Sequence, residues 1–242
     1  MATLTERVHA ALAVVRDPEL DEAITALGFV SAVTVDGTAV TVRLRLPTYF
    51  CAPNFAWLMV ADAKHAVAAV DGVTAVDVSL DDHATSAQIN TGVARGADFA
   101  DAFPGQADGS GLTELRMRFR RKAFQARQYR LLAALRRRGA GDAELCALRV
   151  GDLGPGPETA VYLARRAELG LPVDAAAPVV LTVDGQAVAA KDLDAHLVRL
   201  RTVSVSIEGN AGFCRGLLAT RYGGRPAARP REERSETTKE PL

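Results

Sequence analysis

The residues best suited to chemistry lie in the stretch Leu46-Pro47-Thr48-Tyr49-Phe50-Cys51-Ala52-Pro53-Asn54. Upstream, Thr41-Val42-Arg43-Leu44-Arg45-Leu46 alternates with a period of two and reads as a strand with Val42, Leu44 and Leu46 facing inward. Downstream, Pro53 suits the first turn of a helix, where its missing N–H costs nothing, and the apolar run over residues 55–70 has helical length. Cys51 therefore stands where a strand hands over to a helix. Unpaired backbone N–H groups at such a junction favour a thiolate, as a metal ligand or a nucleophile requires. An isolated cysteine can equally be a small buried hydrophobe, and position alone leaves both readings open.

Other pairings of chemistry-bearing residues are poorer. His65 falls about four turns along the same helix, roughly 20 Å from Cys51 by the rise per residue. Asp81-Asp82-His83 are adjacent on an extended chain, so their side chains point in different directions. No His-x-x-x-His, Cys-x-x-Cys or nucleotide-type glycine fingerprint occurs, and no histidine is close in sequence to Cys51. The expectation is a protein that is not an enzyme. Cysteines 51, 146 and 214 are an odd number without zinc-site spacing, which argues against a disulfide framework.

The elements that must position Cys51 follow in order. A first helix can be capped by Thr3 or Thr5 and carries Val8, Leu12 and Val15 on one face. Asp17 then reads as the cap of a second short helix, with Pro18 at its first position and residues 19–26 continuing it to Gly28. Asp36-Gly37 is a hairpin turn between strands over 29–35 and 39–46. A closing strand over 73–80 alternates Val76, Val78 and Leu80 with polar residues. The fold class expected from this pattern is α+β, a small mixed domain with helices packed on a short sheet.

Asp17-Pro18-Glu19-Leu20, then Leu27-Gly28-Phe29-Val30, the strand pair, Thr48 shortly before Cys51, and the closing strand together resemble the iron-sulfur cluster assembly domain family. That family includes the cytosolic iron-sulfur targeting factors of eukaryotes and the accessory protein of bacterial phenylacetate oxygenase operons. The resemblance covers about residues 5–83. It implies that Cys51 is the reactive, cluster-linked cysteine, with Asp17 and Thr48 as supporting residues. It further implies a transient iron-sulfur cluster or iron as cargo, and a cluster-assembly protein or metalloenzyme client as partner. Two positions depart from the family pattern: Ala52 stands between the cysteine and Pro53, and Thr48 is only three positions before Cys51. One cysteine cannot satisfy a cluster's irons, so a homodimer, a partner's thiolates or an external thiol would have to complete the ligand set. The competing reading is an accessory or chaperone protein that docks on a multicomponent metalloenzyme, such as a bacterial monooxygenase, without carrying a cluster.

The rest of the chain reads as additions to this domain. Residues 84–111, rich in Ala, Gly, Asp and Ser, read as a connector. Residues 112–138 read as one long helix with ten basic residues and one acidic, whereas residues 1–90 hold five basic and eleven acidic, although Lys plus Arg and Asp plus Glu are both 29 overall. An acidic domain beside a basic helix at zero net charge argues against nonspecific nucleic-acid binding. Interleaved Leu, Met and Phe favour docking on an acidic protein surface, this chain's own first domain included. Residues 139–223 read as a second mixed α/β region, with a strand over 178–183, a helix over 191–200, a strand over 202–207, and a glycine-rich passage over 208–216 leading into a last helix. Residues 224–242 read as a disordered tail. No uncharged apolar run reaches about 18 residues and the first residues do not make a signal peptide, so the expected location is the cytoplasm.

Overall fold

The three strands β3 (Val30–Asp36), β4 (Ala39–Arg45) and β5 (Ala75–Asp81) form one sheet in the order β3-β4-β5. β3 and β4 are antiparallel around the expected turn, where Gly37 takes a left-handed φ of 56° that a side chain would resist. β5 returns parallel to β4 after the crossover helix α2 (Pro53–Ala68), setting Val42 beside Val78 and Leu44 beside Leu80. The alternation read from the sequence is real: Val40, Val42 and Leu44 are buried while Arg43 is exposed. Together with Val8 and Leu12 of α1 (Leu4–Ala13) and with Trp57, Met59, Val60 and Ala63 of α2, they make the first core. This is a computed structural model, and it describes residues 2–106 and 112–223. The architecture is α+β, as expected; the tail beyond residue 223 lies outside the described residues.

Residues 17–26 are not a helix. They form the short antiparallel pair β1 (Arg16–Asp17) and β2 (Glu22–Ala23). The Asp17 carboxylate holds the turn between them, with Oδ1 accepting the N–H groups of Glu19 and Leu20 at 2.8 and 2.9 Å. Asp21 then turns left-handed, with φ of 51°, which stops helix propagation.

The first core also extends past residue 83, into the segment expected to be a connector. Helices α3 (Ser86–Arg95) and α4 (Phe99–Ala102) bury Ile89, Val93 and Phe99 in it, and Phe103, just past α4, joins them. Phe99 and Phe103 stack at 4.8 Å and meet the Trp57 ring edge-on. Isolated aromatics in a polar stretch were the visible sign, and their target is Trp57. A Cβ at Gly92 would stand 2.5 Å from the Trp57 ring, so only glycine lets α3 approach α2 this closely.

The long basic helix is α5 (Thr113–Arg137), and it docks on the first domain. Arg116 forms a two-bond ion pair with Asp62 at 2.7 and 2.9 Å, and Phe119 meets Phe55 edge-on at 5.0 Å. Asp21 supplies the buried part of this contact. Its carboxylate accepts Arg127 Nε at 2.6 Å and Arg165 Nε at 2.8 Å, and its carbonyl accepts Arg127 and Arg16. One left-handed aspartate thus ties the first sheet to α5 and to α7 (Pro157–Glu168).

The second core gathers Phe124, Leu131 and Leu132 of α5, Leu145 of α6 (Asp142–Ala147), Tyr162 of α7, and Val179, Val180 and Leu181. The expected strand over 178–183 is an extended segment without a sheet. Its partners are isolated backbone bonds, Val179 to Leu148 and Thr182 and Val180 to the return over 186–188, and a side chain: the buried Gln128 amide donates to the Leu181 carbonyl and accepts its N–H, both at 2.8 Å. Only isolated bridges occur in this region among the described residues, so the second unit is largely helical rather than mixed α/β.

The expected strand over 202–207 and the glycine-rich passage over 208–216 are both inside one helix, α8 (Leu193–Tyr222). Leu193, Leu197, Leu200, Ser204, Ile207, Ala211 and Leu218 are its buried residues, apart from His196. Their spacing alternates four and three and runs through position 214, giving one continuous seam along a helix about 45 Å long at 1.5 Å per residue. The first half of the seam belongs to the second core and the last part to the first core.

Two stability tests follow from these contacts. Gly92→Ala forces the Trp57 ring or α3 to move and is expected to cost about 1–3 kcal/mol in urea denaturation, as overpacking does. Asp21→Asn leaves Arg127 and Arg165 without their buried carboxylate and is expected to cost about 3–5 kcal/mol. Wild-type denaturation midpoints for either variant would contradict the packing described.

Candidate functional site

Cys51 lies half-buried in the loop between β4 and α2, and the loop is fastened from three sides. The Leu46 carbonyl accepts Arg221 Nη1 at 3.2 Å, the Tyr49 carbonyl accepts the Ala84 N–H at 2.9 Å, and the Cys51 carbonyl meets His83 Nε2 at 2.8 Å. The Thr85 N–H points at His83 Nδ1 from 3.2 Å, which makes Nδ1 the acceptor and leaves Nε2 to donate to Cys51. Burial holds the His83 pKa below its ordinary value, which favours this neutral tautomer. His83 therefore acts on the backbone of Cys51, not as a ligand beside it. Local sequence carries no sign of this bond across 32 residues.

Among the described residues, the Cys51 side chain has one hydrogen-bond partner. Thr48 Oγ1 stands 3.2 Å from Sγ and also accepts the Phe50 N–H at 3.3 Å. Either Oγ1 or Sγ can donate in this contact. The spacing of three does bring Thr48 to Cys51. Pro53 opens α2 as expected, and no side chain caps that end. Immediately before the cysteine, Phe50 is 80 % exposed and packs edge-on against Tyr49 at 5.0 Å.

Asp17 is buried, and no ion pair satisfies it among the described residues. Burial, opposed only by its two backbone hydrogen bonds, pushes its pKa up to about 6. It lines one wall of a cleft of about 530 Å³ between the first core and α5 and α7, together with Arg16, Asp62, Arg116, Arg120 and Arg165. Cys51 does not line that cleft. A different residue links the two. Cys214 of α8 is half-buried against the first core, and the charges of both Asp17 and Cys51 bear on its thiol; burial first and these neighbours next push its pKa up to about 11. Cys146 is remote from this group, in the second core, with its pKa raised by burial and by Asp142. No group of three or more His, Cys, Asp or Glu suited to holding a metal ion occurs among the described residues.

A family model described as iron-sulfur cluster assembly protein matches residues 5–79. Over these residues, less than a third of the chain, the first domain is similar to the iron-sulfur cluster assembly family. The matched span ends within β5 and takes in β1 to β4, the Cys51 loop and α2, so it covers Asp17, Thr48 and Cys51 but not His83 or Cys214. The general role this indicates is iron-sulfur cluster assembly. No curated protein and no solved structure is similar enough to the chain to count as a match. No helix among the described residues is long and apolar enough to cross a membrane.

Alkylation should follow the environments of the three thiols. Cys214 and Cys146 are held in the thiol form by burial, so Cys51 is expected to label first at mildly alkaline pH, as read by mass spectrometry of partially modified protein. Labelling of Cys214 ahead of Cys51 would contradict the site. Asp17 gives a pH test. Its folded pKa of about 6 lies above the ordinary 3.8, so between these values the folded state binds a proton that the unfolded state has lost. Stability from this group is present below pH 4 and lost as pH rises through 6, by about 3 kcal/mol. Asp17→Asn keeps the Oδ1 acceptor and should flatten that fall; an unchanged pH profile would show that the carboxylate is not desolvated.

Proposed function

We propose that this protein is an iron-sulfur assembly accessory in which Cys51 takes iron or a cluster as transient cargo and passes it to a client metalloprotein. The observation that carries the reading is the Cys51 loop itself. The bonds that fasten it from the rest of the chain use backbone carbonyls, so the sulfur is positioned without being consumed and, among the described residues, has only the Thr48 hydroxyl as a hydrogen-bond partner. A half-buried thiol of this kind can accept a soft metal and release it, whereas a closed four-ligand site would retain it. The match of residues 5–79 to an iron-sulfur assembly family supports the same reading.

The client surface is argued from what α5 leaves over. Arg116, Arg127, Arg130 and Arg136 are engaged within the chain, while Arg118 and Arg121 are exposed and make no ion pair among the described residues. With Lys122 they form a basic face suited to an acidic protein, and this face favours the second reading, an accessory that docks on a multicomponent metalloenzyme such as a monooxygenase. Both readings expect the protein in the cytoplasm.

Anaerobic reconstitution with ferrous iron and sulfide, followed by visible absorption and Mössbauer spectroscopy, separates the two. The cargo reading expects an iron signal that Cys51→Ser abolishes. An identical signal in the variant would refute it, and absence of any signal beside salt-sensitive binding of a metalloenzyme would favour the docking reading.

A further inference from the structure

The buried seam occupies one side of α8, and the opposite side carries a second pattern with no partner among the described residues. Val198, Thr202, Val205, Gly209, Gly212 and Gly216 recur at alternating spacings of four and three, and all of them are exposed. That spacing sets them in one stripe along the helix, without a charged residue in it. Val198 and Val205 are among the few large apolar side chains the protein leaves in solvent, and Phe213 adds a third at the edge of the stripe. A Cβ at Gly209, Gly212 or Gly216 would meet nothing within 4 Å. No neighbour within the chain therefore asks for glycine there, although each costs the helix about 1 kcal/mol relative to alanine. One flank of the stripe says what would cover it. Asp194, Arg201, Glu208 and Arg215 follow one another every seven residues with alternating sign. Asp194, Glu208 and Arg215 also touch Arg136, Arg130 and Glu22 of their own chain, but at 83, 56 and 48 % exposure each keeps a side open to a second partner. Arg201 is exposed and makes no ion pair among the described residues.

We propose that this outer face of α8 is a self-association surface whose occupant is a second copy of this chain, the two helices lying antiparallel about a two-fold axis. In that arrangement Arg201 meets the partner's Glu208 and Asp194 meets the partner's Arg215, and symmetry makes each pair twice, so every charge of the flank faces its opposite. The same register seats Val198 on the partner's Gly209 and Thr202 beside the partner's Val205, and the glycines let the two backbones approach closely. A parallel pair would instead set Arg201 and Glu208 against Ser206 and Phe213, with no charge to match. One helix pair is at the small end of specific interfaces, about 1,000 Å² in total, so a dimer that dissociates in the micromolar range is expected. The arrangement also bears on the site. Arg221, which holds the Cys51 loop, lies near the end of α8, and antiparallel pairing carries the two copies of it to opposite ends, about 50 Å apart by the rise per residue. Each Cys51 would thus act alone, and the contact would hold whether or not Cys51 carries cargo.

Sedimentation velocity of the full-length protein over a concentration series, in reducing buffer, tests this. Wild type and Cys51→Ser are expected to show the same monomer–dimer equilibrium. Val205→Arg sets like charges together near the axis and should raise the dissociation constant at least about tenfold, with an unchanged far-ultraviolet circular dichroism spectrum because position 205 is exposed in the monomer. Arg201→Glu should weaken the dimer as well, and adding Glu208→Arg to the same chain should restore it. A wild type that stays monomeric at every concentration would overturn the proposal, whether residues 224–242 or a different protein covers the face. A dimer that survives Val205→Arg, or one that Cys51→Ser abolishes, would place the contact elsewhere and overturn it equally. Failure of the paired charge reversal to restore association would refute the antiparallel register.

Discussion

The constraint on which the rest depends is the buried seam of α8. A 30-residue helix with glycines at 209, 212 and 216 has weak reasons to form by itself, since each glycine costs about 1 kcal/mol relative to alanine. Leu193, Leu197, Leu200, Ile207 and Leu218 are all buried along its seam, at roughly 1.5–3 kcal/mol for each such side chain. Burial wins, and because the buried residues keep one heptad-like spacing the helix stays continuous across both cores. Its polar interruption is satisfied: Ser204 donates to Glu208, which also receives Arg130 of α5. The fold is therefore two cores sharing one helix, with Asp21 as the buried ionic fastening between the first domain and α5 and α7.

The site inherits its geometry from this arrangement. Arg221 at the end of α8 grips Leu46 and Asp82, His83 grips Cys51, and Ala84 grips Tyr49, so the loop is held by residues from two later parts of the chain. Fastening by backbone carbonyls leaves the thiol and the neighbouring aromatic pair free to meet what approaches from outside. The basic helix, by contrast, spends much of its charge on this chain's own acidic residues. Its role is first architectural, and among the described residues Arg118, Arg120, Arg121, Lys122 and Arg137 of α5 make no ion pair.

The sequence was legible where local rules act alone. Alternation named the buried faces of β4 and β5, Asp36-Gly37 marked the hairpin, and Pro53 marked the start of α2 beside Cys51. It misled where long-range contacts decide. Asp17-Pro18 is a sound helix start, but the carboxylate instead caps a hairpin turn that Asp21 closes. Val203, Val205 and Ile207 alternate as a strand would, yet Leu200, Ser204, Ile207 and Ala211 also fit a helical seam, and a serine within that seam hides it. Gln128 serving as a strand partner for Leu181, and His83 as a clamp on Cys51, leave no trace in local pattern. Nothing in the sequence around Cys214 shows that α8 returns to the first domain.

The central claim, that Cys51 carries cargo which it gives up, is tested most directly by transfer itself. Protein loaded anaerobically with iron and sulfide is mixed with an apo iron-sulfur protein in the presence of a chelator that captures free iron, and appearance of the holo form is followed by circular dichroism in the visible range. The account predicts chelator-resistant transfer by the wild type and none by Cys51→Ser. Equal transfer by the variant, or transfer abolished by the chelator in both, would contradict it.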